Sequence, residues 1–148
     1  MKPIRLVIAG LNSFKEEQEI DFSLLCQGNV FGIFGPTGSG KSTIVDAITL
    51  ALYGSVKRAA RKTQGIVNKA LTEASVFFEF QLGSAASRKH YRVERKYVAK
   101  DESVNCRLAR LSEMQGEEAL ILADKPSLVD QAIEEILGLT EEDFTRAV

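Results

Sequence analysis

A glycine-rich octet, GPTGSGKS at residues 35–42, constrains the fold of this chain more than any other feature of the sequence. It matches the pattern G-x-x-x-x-G-K-[ST], in which glycines allow successive backbone N–H groups to converge on phosphate oxygens. The lysine of this pattern reaches the β- and γ-phosphates, and the hydroxyl group that follows it is suited to Mg²⁺. The octet therefore predicts a binding site for a nucleoside triphosphate, provided that a strand precedes it and a helix follows it.

The residues on both sides of the octet provide this context. Residues 29–35 are apolar almost throughout, which predicts a strand that is covered on both faces. After the octet, apolar residues recur at intervals of three and four, as in a helix that buries one side and ends at Gly54. These residues are Ile44, Val45, Ile48, Ala51 and Leu52. The pattern favours a phosphate-binding loop over an incidental glycine turn.

Apolar runs separated by polar links predict the remaining strands. Residues 4–10 and 18–24 are expected to pair as an antiparallel ribbon. Residues 74–82, 89–99 and 103–112 are expected to form an antiparallel meander, because the links between them are short. The sequence thus predicts an α/β fold, in which an antiparallel β-subdomain and flanking helices accompany the strand, loop and helix around the octet.

Two helices are predicted near the end of the sequence. Residues 126–138 have a proline near their start and a glycine at their end, and four apolar residues are expected on one helical face. These residues are Leu128, Ile133, Ile136 and Leu137. Thr140 and Asp143 have the spacing of a capping box and predict a helix that starts just after Thr140. Residues 55–65 are polar and basic, and predict a loop.

The composition is typical of a soluble globular domain. Of the 148 residues, 45% are hydrophobic and 26% are charged, which excludes disordered and collagen-like classes. Cys26, Cys106 and the single histidine, His90, do not form a metal-binding pattern, and we expect both thiols to be reduced and structural. No apolar run approaches the roughly 20 residues of a membrane span, so we expect a cytoplasmic protein without a membrane partner.

Other nucleotide-binding enzymes fit the sequence less well. Residues 68–71 imitate the start of the base-reading motif of GTPases, but Leu71 replaces the essential carboxylate. A small-molecule kinase would continue with parallel α/β units, whereas a meander follows here. ALILAD at residues 119–124 imitates the acidic strand that holds Mg²⁺ in hydrolases, yet Lys125 follows it and no serine-glycine-glycine signature precedes it. We interpret Asp124 as a strand end or turn.

Longer segments around the octet are more specific than the octet itself. GPTGSGKSTIVDAITLALYG at residues 35–54, together with residues 3–25 and 134–148, resembles the SbcC-type ATPases of bacterial DNA double-strand-break repair, which are relatives of SMC proteins within the ABC class. The resemblance implies a P-loop NTPase of the ABC class, with residues 1–148 as the N-terminal half, lobe I, of a split ATPase head. A long coiled coil and a C-terminal lobe would lie outside these residues, so we expect a chain cut within a larger protein.

The resemblance also implies roles for individual residues. ATP is expected on the residues of the loop and the helix start, which are Gly35, Pro36, Thr37, Gly38, Ser39, Gly40, Lys41, Ser42 and Thr43. Lys41 is implied to be catalytic, and Ser42 to bind Mg²⁺. Asn12 and Ser13 correspond to the place where the family approaches adenine and ribose, although Asn12 also suits a polar turn. Four basic residues are candidates for contacts with DNA phosphates, for sensing of the bound nucleotide or for a solvated surface; they are Lys57, Arg58, Arg61 and Lys62.

The function implied by the resemblance is that of an ATP-binding lobe in a DNA double-strand-break repair ATPase. Its partners would be the C-terminal lobe, a second copy that sandwiches ATP, the nuclease subunit SbcD and double-stranded DNA ends, in the cytoplasm and associated with the nucleoid. Because the signature motif and the acidic strand belong to the C-terminal lobe, we expect residues 1–148 alone to be nearly inactive as an ATPase. An SMC-like chromosome-organising ATPase without a nuclease partner, and a purely structural nucleotide-binding module, are the alternatives.

Overall fold

The computed structural model describes residues 1–25, 32–57, 59, 63–84, 86–101 and 103–147. Within these residues, six strands form one antiparallel sheet in the order β2-β1-β3-β4-β5-β6, and helices pack on one of its faces. The strands are β1 Lys2–Ala9, β2 Gln18–Asp21, β3 Glu73–Leu82, β4 Lys89–Lys100, β5 Ser103–Gln115 and β6 Glu118–Ala123. The helices are α1 Phe22–Leu25, α2 Lys41–Tyr53, α3 Pro126–Leu137 and α4 Glu141–Ala147.

The antiparallel ribbon and the meander are both confirmed. β1 pairs with β2, with Leu6 opposite Ile20, and β3, β4 and β5 are consecutive neighbours in the sheet. β1 also pairs with β3, with Leu6 opposite Phe78, so the ribbon joins the meander as a single sheet. The long-range pairing of β1 with β3 brings the start of the chain against its middle.

The hydrophobic core lies between this sheet and helices α2 and α3. Alternate residues of the strands point to the core face, because successive side chains of a strand lie on opposite faces of the sheet. Phe80 stacks on Phe78 and on Tyr91, with ring centroids 5.5 and 5.6 Å apart. The fully buried members include Leu6, Ile8, Phe78, Phe80, Val93, Leu111, Leu50, Leu52, Val129 and Ile133.

The second strand of the ribbon is shorter than predicted. Residues 22–24 are expected to continue the strand from residue 18, but they lie in the short helix α1. Asp21 causes the change, because its Oδ1 accepts a hydrogen bond of 2.8 Å from the backbone N–H of Ser23, as an N-cap residue does. The two hydrogen bonds from Ser23 lower the pKa of Asp21. Phe22 is then buried against β1.

The strand predicted immediately before the glycine-rich octet is not observed in the described residues. Residues 29–31 lie outside the described part of the chain, and residues 32–35 do not belong to any strand. Phe34 is 92% exposed and Ile33 is 37% exposed, so the prediction of a strand covered on both faces is wrong for these residues. None of the six strands borders this segment, and a strand needs a neighbour for its backbone hydrogen bonds.

The predicted helices lie where the sequence places them, but their buried faces differ in part from the prediction. On α2, Ala51 and Leu52 are buried as expected, whereas Ile44, Val45 and Ile48 are only half-buried. α2 and α3 are followed by Gly54 and Gly138, as expected. Leu128 is 48% exposed, so the prediction that it lies on the buried face of α3 is wrong. Val129 and Ile133, which are four residues apart, form the buried stripe instead, and Leu128 lies about 100° away from Val129 around the helix axis.

The last helix is capped as the sequence predicts and contacts α2. The Asp143 backbone N–H donates to Thr140 Oγ1 at 3.2 Å, and Thr140 Oγ1 donates to Asp143 Oδ2 at 2.7 Å. Tyr53, at the end of α2, lies 5.6 Å from Phe144 between ring centroids and donates from its hydroxyl to Leu139 O at 3.1 Å. Burial raises the pKa of Tyr53 to about 12, so the phenol remains a donor at neutral pH.

Of the two cysteines, Cys106 is a free thiol on β5, and Cys26 lies outside the described residues. Partial burial raises the pKa of Cys106, which keeps it in the unreactive thiol form at neutral pH. This agrees with the structural role expected for Cys106. Among the described residues, no helix combines the length and the apolar character needed to cross a membrane.

Candidate nucleotide site

The glycine-rich loop leads directly into the N-terminus of α2. Gly38 and Gly40 have φ angles of 85° and 88°, in the left-handed region that glycine adopts without steric cost. Between them, the Ser39 N–H donates to Pro36 O at 3.2 Å and closes a turn. Gly40 O accepts from the N–H groups of Thr43 and Ile44, which starts the helix. The loop therefore ends where the first N–H groups of a helix and its positive dipole end favour an anion.

Lys41 places its charge inside the curve of this loop. Its Nζ donates to Gly35 O and Pro36 O at 2.6 Å each, and Ser39 Oγ lies 3.4 Å away. The first turn of α2 contains no acidic residue that would neutralise the ammonium group. Phosphate oxygens carry negative charge, so they attract an ammonium group more strongly than neutral carbonyl oxygens do. The lysine can therefore exchange its carbonyl acceptors for phosphate oxygens.

The other predicted loop residues differ in exposure. Residues 36–39 are exposed, as is Ser42, whereas Thr43 is buried beneath the first turn of α2. Ser42 thus presents its side chain at the same surface as the loop. A hydroxyl group at this position fits Mg²⁺, which takes one or two protein oxygens together with phosphates and water. In the described part of the chain, no group of three or more His, Cys, Asp or Glu side chains could hold a metal by itself.

Ser13 lies beside Gly40 of the glycine-rich loop, and Asn12 borders the same small cavity as Thr43 at the start of α2. The Asn12 backbone N–H donates to Ile66 O at 2.8 Å, and Asn12 O accepts from Asn68 Nδ2 at 2.6 Å. These two bonds hold Asn12 at a φ of 46°, which asparagine tolerates better than most residues. Both Asn12 and Ser13 are exposed. The structure therefore brings these predicted residues close to the loop and leaves their side chains accessible.

Phe14 is a site residue that the sequence does not identify. Its ring lies against Gly40, where a Cβ atom would be 2.7 Å from Phe14 Cζ and 3.5 Å from Ser13 Oγ. Gly40 thus needs to be glycine for two reasons, its positive φ and the ring beside it. The sequence does indicate that Phe14 packs against a neighbour, because it is the one aromatic residue within the polar link NSFKEE.

The remaining predicted residues lie apart from the loop or outside the described residues. Lys57 is exposed after the end of α2, and Arg58, Arg61 and Lys62 lie outside the part of the chain that the structure describes. Asp124 is exposed and directly follows β6, which is an edge strand of the sheet. The interpretation of Asp124 as a strand end is therefore confirmed.

Comparison with protein families gives a match over nearly the whole chain. A family model described as an AAA domain matches residues 5–147. The chain belongs to the AAA domain family. This agrees with the predicted P-loop fold class and with the mixed α/β architecture of the structure.

Curated relatives of this AAA domain carry the names of a nuclease subunit and of a DNA double-strand break repair ATPase. The SbcC subunit of nuclease SbcCD from Bacillus subtilis is 55% identical over 149 residues, which cover 100% of this chain and 13% of that protein. The protein of the same name in Clostridium acetobutylicum is 47% identical over 150 residues, again 100% of this chain and 13% of the relative. "Probable DNA double-strand break repair Rad50 ATPase" of Aquifex aeolicus is 35% identical over 150 residues, 100% of this chain and 14% of the relative.

These relatives confirm the resemblance to SbcC-type ATPases. The chain spans only 13% of the length of the first two relatives. Their similarity covers the glycine-rich loop, the segment before it and the final helix alike, since the whole chain is aligned.

Proposed function

We propose that this AAA domain is the ATP-binding lobe of a DNA double-strand-break repair ATPase that controls an associated nuclease on DNA ends. The observation that carries the proposal is the loop at residues 35–43, which presents Lys41 and the start of α2 together in a chain similar to the SbcC subunit of nuclease SbcCD. The names of the relatives favour this function over an SMC-like chromosome-organising ATPase without a nuclease partner.

ATP would be held by the residues of the loop in distinct ways. The backbone N–H groups at the start of α2 would bind phosphate oxygens, and Lys41 would add a point charge beside the β- and γ-phosphates. Ser42 would hold Mg²⁺ through its hydroxyl oxygen, and the bound ion supplies charge neutralisation across the triphosphate. Phe14 supports the loop through the contact of its ring with Gly40. The exposed Asn12 and Ser13 would meet the ribose and the base.

Residues 1–148 would act as the N-terminal lobe of a split head. An exposed apolar side chain next to the loop supports this proposal, since Phe34, which directly precedes Gly35, is 92% exposed. Apolar surface of this kind marks contacts with other protein surfaces. In the proposed assembly a C-terminal lobe covers this region, a second copy sandwiches ATP, and the nuclease subunit SbcD binds the complete protein.

The function is tested by measuring binding and turnover of MgATP by the same purified chain. We expect saturable binding by calorimetry that weakens when EDTA removes Mg²⁺, together with negligible release of phosphate. Asp124→Asn should leave both results unchanged, because Asp124 lies beyond the edge strand and not at the loop. Absence of MgATP binding would contradict the proposed function, and rapid turnover that Asp124→Asn abolishes would contradict the interpretation of Asp124.

The basic loop after α2 is proposed to contact DNA phosphates. Lys57 is the exposed, described member of the group that also includes Arg58, Arg61 and Lys62. Each phosphate contact releases counterions, so Lys57→Ala should reduce the slope of log affinity against log salt by about one for duplex DNA. Lys2→Ala removes the same charge from the exposed start of β1 and should leave the slope unchanged. An unchanged slope for Lys57→Ala would assign Lys57 to the solvated surface.

A further inference from the structure

Arg95 on β4 is a buried cation at the opposite end of α2 from the glycine-rich loop. Only 1% of the residue is exposed. Its Nε donates to Ala51 O at 2.8 Å, and its Nη2 donates to Leu52 O at 3.0 Å. The same Nη2 lies 2.6 Å from Oδ1 of Asp130 on α3. A charge buried this deeply needs such partners, because an unpaired one would be strongly destabilising.

The hydrogen bonds from the planar guanidinium group of Arg95 fix the position of the last turn of α2. The carbonyl groups of a helix end have no partners within the helix, and a cation there also interacts favourably with the helix dipole. Tyr97, two residues after Arg95 on β4, adds a hydrogen bond from its hydroxyl to Leu50 O at 3.4 Å. Gly54 gives the guanidinium group room, since a Cβ there would lie 2.8 Å from Arg95 Nη1.

The end of α2 next to the glycine-rich loop is less deeply packed. Apart from Thr43, the buried residues of the helix lie between Ala47 and Tyr53, whereas Ser42 is exposed and Lys41 is half-buried. An α-helix of this length is a stiff rod of roughly 20 Å, so an axial shift or tilt at one end displaces the other. The position of Lys41 and Ser42 therefore depends on the contacts at the far end of the helix.

We propose that Arg95, supported by Asp130, is a positioning residue for the triphosphate site, which it aligns through helix α2. This inference rests on the proposed function, because the triphosphate is the ligand that it would align. The planar guanidinium group is suited to the task, since its fork can bond two carbonyl groups and a carboxylate at once, which an ammonium group cannot do in the same geometry.

The test compares MgATP affinity and thermal stability in matched variants of the chain. Arg95→Lys keeps the charge but loses the fork, and we expect the dissociation constant to rise about fivefold to tenfold. Asp130→Asn should raise it about twofold, and the double variant should show less than the product of the two effects, because both residues act through one contact. Affinities are measured at a temperature well below the unfolding midpoint of each variant, so that only folded protein is compared.

Arg92→Lys is the matched control, because Arg92 lies on the same strand and pairs with Glu79 at 2.7 Å, on the sheet face away from α2. It should leave MgATP affinity unchanged. If Arg95→Lys lowers the unfolding midpoint but binds MgATP as the unchanged chain does, Arg95 is only structural and the inference is overturned.

The control for the proposed function is Lys41→Ala in the same assay. Loss of binding in Lys41→Ala, with normal binding in Arg95→Lys, overturns the positioning role and leaves the proposed function intact. Absence of MgATP binding by the unchanged chain overturns both. Should Arg95→Lys not fold, Asp130→Asn decides the question alone, since the Asp130 side chain is 45% exposed and its amide replacement is nearly isosteric.

Discussion

Replacing Lys41 by alanine should raise the dissociation constant for MgATP about a hundredfold or more, because two charge-assisted hydrogen bonds of at least about 1.5 kcal/mol each are lost. In the free chain the same ammonium group bonds Gly35 O and Pro36 O, which are exposed carbonyl groups that water can also satisfy. The variant should therefore remain folded. Isothermal calorimetry gives the affinity, and thermal unfolding monitored by circular dichroism checks the fold.

Lys2→Ala provides the matched control for this experiment. It removes the same charge from the exposed start of β1, so long-range electrostatics change while the loop stays intact. We expect MgATP affinity within about twofold of that of the unchanged chain, because exposed charges separated by more than about 10 Å are screened by salt. Equal affinities for Lys41→Ala and the unchanged chain would remove Lys41 from the phosphate site.

Much of the fold could be predicted because local periodicity carries the information. Val76, Phe78 and Phe80 alternate with polar or half-buried residues on β3, and this alternation identifies both the strand and its buried face. The glycine-rich octet is similarly local, since its glycines, lysine and hydroxyl group act within one loop. The loop, the ribbon and the meander were therefore predictable from the residues alone.

The errors arise where a neighbour decides the structure. Residues 32–35 are apolar enough for a buried strand, but no strand of the sheet borders them. Residues 22–24 alternate like a strand, yet the Asp21 side chain starts a helical turn there. Leu128 and Val129 are adjacent apolar residues, and only the packing of α3 against the sheet determines which of them is buried.

Two residues that support the candidate site, one beside the loop and one at the far end of α2, were missed for a related reason. The contact of Phe14 with Gly40 and the contact of Arg95 with Ala51 join positions that are distant in sequence. The sequence does indicate that Arg95 is buried, because it alternates with Val93 and Tyr97 on the same face of β4. A charge on an apolar face indicates a buried partner, and the sequence does not specify which one.

Gly10→Ala should destabilise the chain by roughly 2–5 kcal/mol, a large part of the 5–15 kcal/mol typical of a domain. Gly10 has a φ of 69°, and a Cβ atom there would lie 2.2 Å from Glu73 O and 3.1 Å from Ala74 Cα. Both neighbours are backbone atoms of the adjacent strand and cannot rotate away, so β1 and β3 must separate locally. Urea unfolding followed by circular dichroism measures the loss.

Gly116→Ala separates the contact from the backbone conformation. Gly116 has a φ of 67° in the turn between β5 and β6, and a Cβ atom there would meet nothing within 4 Å. Both variants carry the left-handed penalty of about 1–2 kcal/mol, so any additional loss in Gly10→Ala reports the contact with Glu73. Gly10 O also accepts from the Asn68 N–H at 2.7 Å, and Asn68 in turn bonds Asn12. Gly10→Ala should therefore weaken MgATP binding as well. Equal losses of stability in Gly10→Ala and Gly116→Ala would show that β1 and β3 accommodate the methyl group.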